Sequence, residues 1–198
     1  MEDYFLNLFY SFLQSDIKYL VISIISFLEG IPIIGTVIPG GTVSFIVGSY
    51  TVTGVFNIWL SLGLLTFANF FGDILGYLMG RKSHSISWAK KIIEKQNLGT
   101  AFDVFDKNLF YFIVVVRLIP VVRSMPSLIA GARRVSFKKY LPLSFLGSFL
   151  WSFLGVFGGA LIGEVAGKYA LAVIIGATLL VVSIGYIKKK FFSKKKAE

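Results

Sequence analysis

Two apolar stretches of the chain are each interrupted by prolines, and each carries a charge where a membrane-spanning helix has no use for one. The first reads Glu29-x-x-Pro32, then Pro39-Gly40-Gly41; the second reads Arg117-x-x-Pro120, then Arg123, Pro126 and Gly131. In both, an ionisable residue stands three positions before a proline, and a second proline follows six or seven residues later. Proline lacks a backbone donor and clashes with the preceding turn, so neither stretch forms one unbroken helix. Backbone freed in this way inside a bilayer is tolerated only where protein or a water-filled cavity surrounds it. A pair of interrupted segments, one in each half of a membrane protein, is a sequence pointer to a transport site.

Of the 198 residues, 56% are hydrophobic and only 15% are charged. That is too little charge for the surface of a soluble domain, so the chain reads as one integral membrane domain, 1–198. The absence of cysteine excludes a disulfide framework and a thiolate metal site. His84, the single histidine, falls in a polar segment, and neither a metal nor a cofactor is expected. The net charge of +10 is gathered in clusters: Arg81, Lys82, Lys90, Lys91 and Lys95; Arg133, Arg134, Lys138 and Lys139; and six lysines from Lys188 to Lys196. They flank apolar spans, as the positive-inside rule requires, and are placed to attract anionic headgroups. No aromatic-interleaved basic module accompanies them, which argues against nucleic acid as a partner. Met1 to Ser15 has no basic leader and no small-residue cleavage site, so a cleaved signal is not expected.

The expected fold is an all-α membrane protein built as an inverted repeat. Residues 1–16 read as an interfacial helix, and 19–50 as a first re-entrant hairpin, since neither half reaches the roughly 20 residues a full crossing needs. A transmembrane helix follows over 55–80, then a cytoplasmic amphipathic segment over 81–103. Residues 104–131 repeat the broken pattern as a second re-entrant hairpin, followed by transmembrane helices over 139–161 and 168–187. The basic tail, 188–198, places the C-terminus in the cytoplasm. Basic clusters on both sides of the second hairpin make it enter from inside, and the first hairpin then opens outside.

Four residues carry chemistry. A charge at the bilayer centre costs at least about 2.5 kcal/mol on insertion scales, so each needs a partner or a function. Arg117 and Arg123, six apart, lie about 120° from one another on an ideal helix, and the break at Pro120 lets both turn to one cavity. Arginine stays charged and presents a fork of donors suited to phosphate, and a half-helix starting near Pro126 adds its dipole. Glu29, desolvated at a helix break and near an arginine, suits proton uptake and release. Asp73 lies on a face with Asn69 and Tyr77, four residues to either side. Alternatively, both acids simply pair with the arginines. Gly72, Gly76 and Gly80, and likewise Gly155, Gly159 and Gly163, form small-residue stripes for close helix packing. Such stripes pack helices within one chain or between two, so a homo-oligomer is compatible with them.

These residues resemble the signatures of the DedA family, also called VTT-domain or SNARE-associated membrane proteins. The run Phe27-Leu28-Glu29-Gly30 with Pro32, Pro39 and Gly40 looks like the first. Gly72-Asp73-x-x-Gly76-Tyr77-x-x-Gly80-Arg81 looks like the second. Arg117-x-x-Pro120-x-x-Arg123-x-x-Pro126, with Ala130-Gly131, Phe137 and Trp151, looks like the third. The resemblance implies two re-entrant hairpins in a small bundle and a role in moving lipids across the bilayer. For bacterial members that lipid is undecaprenyl phosphate, with proton dependence; for eukaryotic relatives the implied activity is scrambling. It also makes Glu29 the membrane carboxylate and Arg117 and Arg123 the arginine pair. Many relatives carry a second acid just after the Pro-Gly of the first hairpin, where this chain has Gly41. That puts coupling in doubt unless Asp73 substitutes.

The expected function is therefore a lipid-phosphate transporter of the cytoplasmic membrane, with undecaprenyl phosphate held by Arg117 and Arg123 and protons coupled through Glu29 and Asp73. A proton-driven exporter of small cations or drugs is the main alternative, although two fixed positive charges repel a cation. A passive phospholipid scramblase and a non-transporting scaffold are the others. An enzyme such as a lipid phosphatase is not expected, because no nucleophile with an adjacent acid–base pair is visible.

Overall fold

A computed structural model describes residues 14–32, 41–82, 108–118, 123, 125–169 and 176. The expected helix over 1–16 falls almost wholly outside these residues. So do Pro39, Pro120, nearly all of the amphipathic segment after residue 82, the span expected over 168–187 and the basic tail. All regular structure among the described residues is helical.

Helix α1 spans Ile17–Gly30 and buries Lys18, Ile22, Ser26, Glu29 and Gly30 along one face, the spacing of a helical stripe. It stops because Ile31 precedes Pro32 and is driven out of the helical region, to φ −80° and ψ 124°. Its 14 residues rise about 21 Å, short of the roughly 30 Å hydrocarbon core. Helix α2, Gly41–Thr51, is shorter still. A turn with Gly54 at φ +76°, a conformation that favours glycine, then leads to Asn57. The Asn57 side chain accepts from the Trp59 and Leu60 N–H groups, both at 3.0 Å, capping helix α3, Ile58–Arg81.

The second interrupted segment begins as an irregular helix. A π-helical turn, Tyr111–Val115, passes into a tight 3-10 turn, Val116–Leu118. Helix α4, Met125–Ala132, carries Pro126 in its first turn, where proline is tolerated. It closes by two hydrogen bonds, Arg134 N–H to the Gly131 carbonyl at 2.9 Å and Val135 N–H to the Ala130 carbonyl at 3.0 Å. This Schellman closure puts a left-handed residue after the helix, and here that residue is Arg134 at φ 54°. Helix α5 spans Phe137–Ala166, longer at both ends than the span expected over 139–161. The span expected over 55–80 starts later, at Ile58, because Asn57 caps it. Only α3 and α5 are long and apolar enough to cross a membrane among the described residues.

The glycine stripes decide the packing. Gly30 of α1 meets Gly72 of α3, while the Tyr19 hydroxyl, eleven residues earlier, accepts from the Asn57 N–H at the start of α3 at 2.9 Å. Helices α1 and α3 therefore run in the same direction. Helix α3 and α5 run opposite ways, with Trp59 against Phe157 at one end and Tyr77 stacked on Tyr140 at the other. The helix after each break crosses to the other half's long helix. Thus α2 lies on α5, where Gly155, Gly159 and Gly163 face Ser44, Phe45 and Ser49. Likewise α4 lies on α3, where Gly76 and Gly80 face Ser127 and Leu128. Both stripes thus pack helices within one chain. Two apolar clusters fill the ends: Ile22, Val47, Phe56, Leu65 and Val156 at one, and Tyr77, Phe112, Ile113, Met125, Ile129, Ala130 and Tyr140 at the other.

Candidate functional site

Between these two apolar clusters lies a layer of buried charge. Helix α3 supplies Asn69 and Asp73 one turn apart, near the middle of its length. The last turn of α1 supplies Glu29, held there because Pro32 ends the helix just beyond it. The tight turn after the π-helical segment supplies Arg117, and the second break supplies Arg123. Glu29, Asn69 and Asp73 are fully buried, and each arginine is 3% exposed.

The four charges form two ion pairs. Arg123 Nη1 donates to Glu29 Oε1, and its Nη2 donates to Asn69 Oδ1 at 2.7 Å. The guanidinium carbon lies 4.6 Å above the Trp151 ring of α5, a cation–π contact that strengthens in a desolvated site. Asn69 in turn donates from Nδ2 to Ser152 Oγ at 3.3 Å. Arg117 Nη1 pairs with Asp73 Oδ2. The same oxygen accepts from Ser144 at 3.1 Å and Ser148 at 3.2 Å, and the Tyr140 hydroxyl donates to the Asp73 carbonyl at 3.1 Å.

Two positive and two negative charges leave the layer neutral, the condition under which buried charges are tolerable. Its satisfaction is incomplete. Glu29 Oε2, Asp73 Oδ1, Arg117 Nε and Trp151 Nε1 are buried without a hydrogen-bond partner. Such groups are uncommon in native interiors and call for a reason.

The sequence reading singled out Glu29, Asp73, Arg117 and Arg123, and the structure brings all four into this layer. Each arginine is closed on its own acid, as the pairing alternative anticipated. Pro32 is buried beside Gly76, and Pro126 sits in the first turn of α4. Pro39 and Pro120 lie outside the described residues. Gly41 opens α2. The sequence reading missed the α5 partners Ser144, Ser148 and Ser152 and the place of Trp151 beneath Arg123. A signal existed, since serines four apart in a Phe-rich membrane helix mark its buried face.

Fold and site together define a helical membrane protein with a charged layer inside its bundle. The VTT domain family matches residues 38–161, and the chain belongs to that family. It is similar to an uncharacterized membrane protein of Mycobacterium leprae, 25% identical over 113 residues, which covers 56% of this chain and 51% of that one. It is also similar to protein DedA of Escherichia coli (strain K12), 23% identical over 135 residues, covering 66% of this chain and 62% of DedA. The chain thus spans between about half and three-fifths of the length of these curated relatives. No solved structure matches it.

Proposed function

We propose that this chain moves a lipid phosphate, undecaprenyl phosphate or a close relative, across the cytoplasmic membrane, with protons exchanged at Glu29. The observation that carries this reading is the Arg123–Glu29 pair, fully buried midway along the long helices. A phosphate entering this layer adds negative charge to a neutral set and competes with Glu29 for Arg123. Protonation of Glu29 removes the competitor and one negative charge together. Proton and phosphate then enter as a unit, and loss of the proton restores the pair and expels the headgroup, while the polyprenyl tail stays in lipid. In this reading no bond of the lipid is made or broken, so the protein is a transporter and not an enzyme.

The exchange of α2 and α4 between the two long helices supports reading the chain as an inverted repeat of re-entrant hairpins. In that arrangement 19–50 enters from outside and 104–131 from inside, with the C-terminus in the cytoplasm and a homo-oligomer compatible with the bundle. Arg117 and Asp73 form the second buried pair, which stands beside the first.

The test is movement of labelled undecaprenyl phosphate in proteoliposomes, with and without a proton gradient. Wild type is expected to move the lipid faster under the gradient, and Arg123→Ala to lose at least tenfold of the rate. Unchanged movement in a folded Arg123→Ala protein would sink the proposal. Arginine-dependent movement that ignores the gradient would instead make the protein a passive scramblase, the reading that Gly41 favours.

A further inference from the structure

Several buried polar groups on the helices that frame the Arg123–Glu29 pair have no use in the resting ion pair. Ser26 of α1 lies one turn before Glu29 on the same buried face. Thr66 of α3 lies three residues before Asn69. Ser44 of α2 packs against Gly155, one turn beyond Trp151 on α5. The hydroxyls of Ser26, Ser44 and Thr66 and the indole N–H of Trp151 are all buried and all lack a hydrogen-bond partner. Their residues are between 0% and 6% exposed.

This idleness is not the habit of the chain. Helical hydroxyls ordinarily turn back to a carbonyl one turn earlier. Ser23 does so to Tyr19 at 2.7 Å, Ser49 to Ile46 at 2.8 Å, and Thr51 to Gly48 at 2.6 Å. Ser26, Ser44 and Thr66 do not, although they stand on the same kinds of helix. Ser61 is also unpartnered, but it lies two turns before Asn69, towards the start of α3. Around the Arg117–Asp73 pair the nearby hydroxyls are in use, Ser144 and Ser148 on Asp73 Oδ2 and Tyr140 on the Asp73 carbonyl, and the atoms left unpartnered there belong to the pair itself, Asp73 Oδ1 and Arg117 Nε.

We propose that Trp151, Ser26, Ser44 and Thr66 are donors of a headgroup pocket for a phosphate monoester centred on Arg123, and that the Arg117–Asp73 pair is a structural clamp beside it. The inference rests on the lipid-phosphate reading and assigns that function to one pair and to particular donors. Four idle donors, with Arg123 and a protonated Glu29, suit a group that offers three terminal oxygens. A phosphodiester offers two and carries a substituent on each side. The Trp151 ring also holds the guanidinium from below, so its N–H and the arginine fork reach the same ligand from one rigid unit.

The test uses the full chain, purified in detergent, with farnesyl phosphate as the probe in a calorimetric titration. Inorganic phosphate, farnesol and phosphatidylglycerol are titrated beside it. Trp151→Phe keeps the ring beneath Arg123 and deletes only the N–H; Ser26→Ala and Thr66→Val delete single hydroxyls. Each is expected to weaken farnesyl phosphate binding about tenfold, the usual cost of a hydrogen bond to a charged group. Ser49→Ala, whose hydroxyl is already bonded to Ile46, should leave binding unchanged. Inorganic phosphate that competes and shows the same sensitivities places recognition in the headgroup; failure to compete at millimolar concentration ties it to the lipid-borne ester, and either result supports the pocket. Wild-type binding that all three variants retain overturns the donor assignment and leaves the transport reading standing. Should Trp151→Phe unfold, the two hydroxyl variants decide. Phosphatidylglycerol binding as tightly as farnesyl phosphate overturns the monoester preference. Farnesol binding as tightly as farnesyl phosphate, or no binding of farnesyl phosphate by the wild type, removes both readings.

Discussion

Arg117 and Arg123 are the same residue type six positions apart, yet their surroundings differ. Both carboxylates keep one oxygen without a partner, but Asp73 accepts from two serines beside Arg117, whereas Arg123 divides its donors between Glu29 and Asn69 above the Trp151 ring. Breaking a buried pair by removing one member strands the other charge, at about 3–5 kcal/mol. Asp73→Asn or Arg117→Gln alone should therefore lower stability by about 3 kcal/mol, while the double variant should recover much of that loss. Thermal unfolding in detergent reads the difference, and a double variant no more stable than either single one would refute the clamp. The charged residues were legible in the sequence because a charge inside an apolar run has no neutral explanation. Trp151 and Ser152 were not, since tryptophan and serine are ordinary in membrane helices and acquire meaning only from what lies across from them.

At the scale of the helix, close approach is the governing term. A Cβ on Gly80 would stand 2.0 Å from the Leu128 carbonyl oxygen, and one on Gly159 2.1 Å from that of Phe45. Neither oxygen belongs to a flexible side chain, so the helices themselves must move apart. Gly80→Ala and Gly159→Ala are expected to cost about 1–3 kcal/mol each, the range for overpacking. Gly63 lies in the same α3, and nothing stands within 4 Å of a Cβ built there. Gly63→Ala should instead stabilise by up to about 1 kcal/mol through helix propensity. Opposite shifts in melting temperature for Gly80→Ala and Gly63→Ala are the expected result, and equal shifts would remove the packing account. The spacing of the stripes announced close contacts, but not which helix each would meet.

For the whole molecule, the direction of the long helices has a direct experimental consequence. Thr53 lies in the turn before α3 and Ser136 in the turn before α5, and both are exposed. Because α3 and α5 run in opposite directions, these two turns sit at opposite ends of the bundle. The chain has no cysteine, so Thr53→Cys and Ser136→Cys are clean single-label sites. A membrane-impermeant maleimide applied to intact cells is expected to label the first and to reach the second only after the membrane is opened. Labelling of both from one side would overturn the proposed inverted topology.

By itself the sequence determined the apolar character of the chain, the places where proline stops a helix, and the four charges that an apolar run cannot carry idly. These follow from local chemistry: backbone donors, steric clash and the cost of desolvating charge act wherever the residue stands. Which acid meets which arginine was decided by the tertiary structure alone. So was the exchange of α2 and α4 between the two long helices, and the burial of hydroxyls on α1, α2 and α3 without a partner. Those outcomes depend on which glycine faces which backbone, a relation between residues from about forty to more than one hundred positions apart that no local pattern encodes.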